Sequence, residues 1–234
     1  MGSNEPPARG SCRGGSGDKG LTSDSDIHGA TRRGASGESA NAAATDGALL
    51  GTAVGRRVIA LVGMMGSGKT SIGKRLATRL GLPFVDSDSE IETAAGMTIT
   101  EIFDRHGEAY FREGERRVIA RLLGEGPCVL ATGGGAFMDA RTREAIAEAG
   151  ISVWLRADTA TLMQRIARRN NRPLLRTADP AAQVARLLAL REPIYARADL
   201  IVDSSERPHD EVVGALIASL VAHLRLHPRA GASS

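Results

Sequence analysis

Apolar runs alternate with longer amphipathic segments between residues 57 and 226. Short runs of apolar and β-branched residues predict five strands, at 57–62, 83–86, 128–131, 151–155 and 200–202. Segments with helical periodicity separate them, at 69–80, 90–95, 99–123, 140–149, 159–168, 181–196 and 211–224. Strands that alternate with helices favour right-handed crossovers and a parallel sheet with helices on both faces. The pattern therefore predicts a five-stranded α/β domain.

The alternating pattern is absent before residue 55. Residues 1–55 contain almost half of the 28 glycines and no aromatic residue. Such a segment buries too little apolar surface to offset its ordering entropy. We therefore predict a disordered low-complexity extension over 1–55, a folded domain over 56–226 and a flexible tail over 227–234.

Composition excludes several classes of function. No run approaches the roughly 18 apolar residues of a membrane span, and the N-terminal segment lacks the apolar block of a signal peptide. Two cysteines provide neither a disulfide framework nor a metal-ligand set. The formal net charge of +3 is too small to indicate nucleic-acid binding. We therefore expect a cytoplasmic protein that acts on small molecules, without nucleic-acid or membrane partners.

Residues 63–70, GMMGSGKT, match the phosphate-binding pattern GxxxxGK[ST]. They follow a predicted buried strand and open a predicted helix, and this context disfavours an ordinary glycine-rich turn. Glycines let backbone N–H groups surround a phosphate, Lys69 reaches the β- and γ-phosphates, and the Thr70 hydroxyl binds Mg²⁺. No guanine-reading NKxD tetrapeptide follows. The motif therefore favours ATP over GTP.

Two carboxylates, Asp86 and Asp88, follow the second predicted strand. In extended backbone they point to the same side of the chain, at the sheet edge where open α/β folds bind ligands. One can hold Mg²⁺ through water while the other receives a hydroxyl group of the substrate. The spacing does not decide which aspartate holds Mg²⁺ and which receives the hydroxyl group. A simpler alternative is that either aspartate caps the next helix.

Four further features are weak evidence for a binding site when each is considered alone. Three glycines at 133–135 follow the third strand and allow close approach to the backbone, although a plain turn has the same composition. Arg112 and Glu115 share one helix face, as surface ion pairs also do. Arg172 lies in a polar, proline-containing segment typical of a phosphate lid or of a solvated charge run. Arg191 lies near a helix end, where a cation is favourable in any case.

Together, these features occur in the order found in one family. Over residues 57 to about 224, the chain closely resembles shikimate kinase, a P-loop kinase of small metabolites. The resemblance is carried by GMMGSGKT (63–70), FVDSDSEIE (84–92), GEAYFREGE (107–115), ATGGGA (131–136), RPLL (172–175) and REPIY (191–195). It implies a nucleoside-kinase-like three-layer sandwich with a five-stranded parallel sheet.

The resemblance also implies the nucleotide and metal contacts. The ATP phosphate cradle corresponds to Gly66, Ser67, Gly68, Lys69, Thr70 and Ser71. Lys69 matches the catalytic lysine, Thr70 the direct Mg²⁺ ligand and Asp86 the aspartate that holds Mg²⁺ through water. Arg172 matches a catalytic lid arginine that closes on ATP. Arg207 matches an adenine-side position in a loop of variable length.

The substrate contacts are implied in the same way. Asp88 is similar to the aspartate that binds the shikimate hydroxyls and is a candidate base. Arg112, Gly134 and Arg191 match the other shikimate contacts, with the two guanidiniums beside the carboxylate. This agrees with the preference of planar guanidinium groups for carboxylates. Glu115 matches the residue that orients the arginine.

The resemblance implies an enzyme that phosphorylates the 3-hydroxyl of shikimate, using ATP and Mg²⁺, in aromatic amino-acid biosynthesis. We expect it to be a monomer. One alternative is a gluconate-type or other small-metabolite kinase of the same fold, since gluconate also has a carboxylate. A second is a non-catalytic nucleotide-binding module. The intact Lys69, Thr70, Asp86 and Asp88 disfavour this second alternative.

Overall fold

The computed structural model describes residues 50–167, 179–205 and 207–227. Its strands are β1 (Val58–Val62), β2 (Phe84–Asp86), β3 (Val129–Ala131), β4 (Gly150–Arg156) and β5 (Leu200–Asp203). They form one sheet in the order β2-β3-β1-β4-β5, and every adjacent pair is parallel. The predicted five-stranded parallel sheet is confirmed.

Helices connect the strands and close the domain. A short helix, α1, covers residues 50–54. The others are α2 (Lys69–Leu80), α3 (Ser87–Ala95), α4 (Ile99–Glu125), α5 (Ala140–Ala149), α6 (Thr159–Ala167), α7 (Pro180–Tyr195) and α8 (His209–Leu226), with a 3₁₀ turn at Ala136–Met138. Among the described residues, no helix combines the length and apolar character needed to cross a membrane.

Both faces of the sheet are buried under helices. Along β1, Val58, Ala60 and Val62 contribute to one core, which also contains apolar residues of α4 to α7. Ile59 and Leu61 contribute to the opposite core, with residues of α1, α2 and α8. Alternate side chains of a strand face opposite sides, so a strand buried on both faces is apolar throughout. The predicted three-layer architecture is confirmed.

The predicted domain start at residue 56 is wrong. Leu50 is 5% exposed and Val54 is buried, and both pack in the core beside α2 and α8. Their spacing of four places them on one face of α1. Gly51 allows the close packing, because a Cβ there would lie 2.2 Å from the carbonyl oxygen of Leu80. The folded domain therefore includes residues 50–55.

Helix α4 is bent at Gly107, where φ is 78° and ψ is 174°. This left-handed φ suits glycine, which has no Cβ to clash. Thr98 and Glu101 form a capping box that fixes the start of the helix. The sequence pattern predicted one uninterrupted helix here, but the bend separates its first turns from the segment that carries Arg112 and Glu115.

Candidate active site

The predicted phosphate-binding loop and the two aspartates meet at the carboxyl ends of the parallel strands. They line a cleft of about 570 Å³, which also includes Thr132 and Gly134 after β3. The loops come from three neighbouring strands, β1, β2 and β3, because parallel strands end at the same sheet edge. The topology thus creates a polar cleft from segments that are distant in sequence.

Lys69 lies folded over the phosphate-binding loop. Its Nζ donates hydrogen bonds to the carbonyl oxygens of Gly63, at 2.8 Å, and Met64, at 2.9 Å. Gly66, Gly68, Thr70 and Ser71 also line the cleft. The loop ends at the N-terminus of α2, where free N–H groups and the helix dipole favour an anion.

Ser67 lies behind the loop. Its side chain is fully buried, and its carbonyl oxygen accepts from Ser204 Oγ at 3.0 Å and Arg165 Nη1 at 3.4 Å. Among the described residues, Ser67 Oγ has no hydrogen-bond partner. Ser67 therefore contributes backbone to the loop, and its carbonyl joins the loop to the end of β5.

Asp86 caps a helix with one carboxylate oxygen and contacts the phosphate-binding loop with the other. Its Oδ1 accepts from the Asp88 N–H at 3.1 Å and so caps α3. Its Oδ2 accepts from the Thr70 hydroxyl at 3.0 Å. Two oxygen ligands therefore lie together beside the phosphate-binding loop, which suits Mg²⁺ because protein sites often give it one or two carboxylates and leave the rest to water and phosphates. The described residues contain no group of three or more acidic, histidine or cysteine ligands.

The triple glycine brings other side chains close to the backbone. A Cβ on Gly133 would lie 2.7 Å from Glu115 Oε1 and 2.8 Å from Asp88 Oδ1. A Cβ on Gly135 would lie 2.6 Å from Arg112 Nη1. Neither glycine has a positive φ, so space rather than backbone conformation requires them. The plain-turn interpretation is therefore insufficient for this loop.

Gly134 lies between the phosphate-binding loop and Arg191. A Cβ on Gly134 would lie 3.3 Å from the Met65 nitrogen and 3.8 Å from Arg191 Nη1. The Gly134 carbonyl oxygen accepts from Arg191 Nη1 at 3.4 Å and also from the Tyr195 hydroxyl. In the sequence, Tyr195 belongs to the motif REPIY, but the sequence alone assigned it no role.

Arg112 and Glu115 form an ion pair of which one partner is buried. Arg112 Nη1 donates to Glu115 Oε2 at 2.7 Å, and the glutamate side chain is 3% exposed. Glu108 contacts the outer side of the guanidinium at 3.2 Å. Burial raises the pKa of Glu115; the hydrogen bond and charge of Arg112 oppose this, and the Asp88 carboxylate adds to it. The pair is therefore not the ordinary surface salt bridge that its spacing allowed.

A second cleft, of about 480 Å³, adjoins the first and is lined by Arg165, Arg207 and His209. Arg165 and His209 line both clefts. Arg165 Nη2 donates to the Ser204 carbonyl oxygen at 2.6 Å. The sequence predicted no role for Arg165 or His209, because neither position belongs to a recognised motif. Arg172 lies outside the described residues.

Three comparisons with known proteins agree with this geometry. Residues 65–221 match the family model described as "Shikimate kinase". A shikimate kinase of Bradyrhizobium diazoefficiens is 61% identical over 173 residues, covering 74% of this chain and 84% of that protein. The shikimate kinase of Rhodopseudomonas palustris is 53% identical, covering 75% and 87% respectively. The structure of "Shikimate kinase from Acinetobacter baumannii in complex with shikimate" aligns with a TM-score of 0.70 and 36% identity, over 74% of this chain and 97% of that one. The chain belongs to the shikimate kinase family.

Proposed function

We propose that this protein transfers the γ-phosphoryl group of ATP to the 3-hydroxyl of shikimate, giving shikimate 3-phosphate and ADP. The observation that carries the proposal is the position of Gly134, where the absence of a side chain leaves room beside the phosphate-binding loop and the carbonyl oxygen accepts from Arg191. A phosphate site and a cationic site are thus separated by one glycine. This arrangement suits transfer between ATP and a small carboxylate-containing alcohol.

The nucleotide side is formed by the loop and the adjoining cleft. We assign the phosphates to the N–H groups of residues 66–71 and to the side chain of Lys69, which would exchange its two carbonyl contacts for β- and γ-phosphate oxygens. Arg165, Arg207 and His209 line the adjoining cleft, which suits the adenosine part. Arg172 is assigned to the lid from sequence alone.

Thr70 and Asp86 fit Mg²⁺, with Thr70 as the direct ligand and Asp86 acting through water. When bound, the metal ion neutralises charge on the β- and γ-phosphate oxygens. The Thr70 hydroxyl now donates to Asp86, so metal binding requires that hydroxyl to turn a lone pair toward the ion.

The substrate side is assigned to Asp88, Arg112, Gly134 and Arg191. Asp88 lies within reach of the triple-glycine loop and is assigned to the shikimate hydroxyls, as hydrogen-bond acceptor and candidate base. The two guanidiniums are assigned to the carboxylate, which accepts charge-assisted hydrogen bonds. Glu115 keeps Arg112 in place, because its buried carboxylate is bonded to Nη1.

Positioning and charge neutralisation provide most of the catalysis in this proposal, since phosphoryl transfer leaves little covalent chemistry to the protein. We propose that the protein is a monomer that acts on small molecules.

A coupled assay of ADP release tests the function. Shikimate, gluconate and nucleoside monophosphates are each supplied with ATP and Mg²⁺, and ³¹P NMR identifies the phosphorylated oxygen. We expect turnover with shikimate alone, phosphorylated at the 3-hydroxyl, and its loss in Lys69→Met. Comparable turnover with gluconate would favour the sugar-acid alternative. ADP release that does not depend on any acceptor would contradict the proposal.

A further inference from the structure

Tyr195 is a fully buried polar residue beside the proposed substrate site. It ends α7, and its ring stacks on Trp154 with the centroids 5.9 Å apart. Its hydroxyl donates to the Gly134 carbonyl oxygen. Burial raises the pKa of Tyr195 to about 12, although the charge of Arg191 and its hydrogen bond with the hydroxyl act in the opposite direction, so the hydroxyl keeps its proton at neutral pH and remains a donor.

Arg191 and Tyr195 converge on the same oxygen atom. They are four residues apart on α7 and therefore share one face of that helix. A carbonyl oxygen has two lone pairs and accepts both donors. Arg191 Nη1 lies 3.4 Å from this oxygen, which is long for an N–H···O hydrogen bond, and it also lies 3.6 Å from Met64 Sδ.

We propose that Tyr195 is a positioning residue for substrate binding, whose hydroxyl fixes the Gly134 carbonyl against which the Arg191 guanidinium is placed. The inference rests on the proposed function, which assigns Gly134 and Arg191 to the substrate. Tyr195 itself has no contact with the cleft, because its side chain is fully buried. It acts through the loop and the arginine.

The hydroxyl, rather than the ring, is the element that packing does not explain. Phenylalanine would keep the stacking on Trp154 and the buried apolar surface. It would leave the Gly134 carbonyl with only the long contact from Arg191 in the described part of the chain. The loop and the guanidinium would then both be free to shift. The hydrogen bonds that the structure gives to the Gly134 carbonyl oxygen come from α7, through Arg191 and Tyr195, so nucleotide binding should change little.

The test is the steady-state kinetics of Tyr195→Phe, with the KM values for shikimate and ATP measured separately. Loss of one buried neutral hydrogen bond corresponds to about a fivefold change in affinity. We expect the shikimate KM to rise about fivefold, with the ATP KM within about twofold of wild type. Tyr110→Phe is the matched control, because Tyr110 is 53% exposed and lies on α4; its kinetics should equal those of wild type.

A double-mutant cycle with Arg191→Ala separates the possible results. If Tyr195 acts through Arg191, the double variant has the same shikimate KM as Arg191→Ala alone. An unchanged shikimate KM in Tyr195→Phe, an equal rise in both KM values, or additive effects would overturn the inference. If Arg191→Ala itself leaves the shikimate KM unchanged, the assignment of Arg191 in the proposed function fails, and that result is distinct from a failure of Tyr195 alone.

Discussion

Gly135→Ala tests whether the triple glycine exists to admit Arg112. An ideal Cβ at this position would lie 2.6 Å from Nη1, 2.7 Å from Nη2 and 2.9 Å from Cζ of that guanidinium. Ordinary contacts with a Cβ begin near 3.4 Å. The guanidinium must therefore move by about 1 Å, away from the position in which Glu115 holds it at 2.7 Å.

Displacement by about 1 Å of a group that positions a substrate can cost about 100-fold in rate. We therefore expect kcat/KM for shikimate to fall about 10- to 100-fold. The ATP KM should stay near its wild-type value, because Arg112 lines neither the cleft at the phosphate-binding loop nor the cleft beside it. Thermal stability should change little, since the atoms that must move are the end of a side chain that is 31% exposed.

The assay is the coupled measurement of ADP release, together with thermal unfolding. Gly214→Ala is the matched control: it lies inside α8, a Cβ there would meet nothing within 4 Å, and it should stabilise the helix by up to about 1 kcal/mol without kinetic effect. The double variant Gly135→Ala/Arg112→Ala should be no worse than Arg112→Ala. A Gly135→Ala enzyme with normal shikimate kinetics, or a double variant worse than Arg112→Ala, would refute the steric argument.

Five further changes test other residues of the site and of the fold. Lys69→Met should lower kcat about 10³-fold or more, and a folded variant with normal turnover would contradict the phosphate assignment. Asp88→Asn should abolish turnover while calorimetry still detects ATP binding; selective loss of ATP binding would reverse the roles of the two aspartates. Removal of residues 1–48 should leave kcat within about twofold of the wild-type value. By contrast, Leu50→Ala should lower the free energy of unfolding, measured by urea titration, by about 2 kcal/mol. Equal stability of Leu50→Ala and wild type would contradict the packing of α1. Because burial raises the pKa of Glu115, the folded state binds that proton more tightly than the unfolded chain, and the contribution of Glu115 to the free energy of unfolding should fall as pH rises above about 4.5. Urea titrations across pH should show that Glu115→Gln removes this contribution to the slope. An unchanged slope would contradict the raised pKa.

The strands and most helices follow from local pattern. Residues 57–62 are apolar without interruption because β1 is buried by helices on both faces. Helix α2 ends at Gly81, whose φ of 65° suits glycine. The phosphate-binding loop and Asp86 also follow from spacing, because their relation to the strand ends is local. These parts of the fold and site were therefore predictable.

The remaining parts depend on contacts between distant segments. Leu50 and Val54 lie next to a glycine-rich stretch, so composition alone assigned them to the disordered extension. Tyr195 and Gly134 are 61 residues apart, and no local pattern indicates that a hydroxyl and a carbonyl will meet. Arg165 gains its position from the carbonyl oxygens of Ser67 and Ser204, which only the folded chain brings together.

Arg112 and Arg191 are proposed to bind the carboxylate of shikimate. The test compares kcat/KM for shikimate with that for its neutral carboxamide analogue, in wild type and in each Arg→Ala variant. A charge-assisted hydrogen bond is worth about 1.5 to 3 kcal/mol, so wild type should prefer shikimate about 10- to 100-fold. The preference should shrink toward unity in both variants. An undiminished preference in the variants would contradict the assignment of the carboxylate to these two arginines.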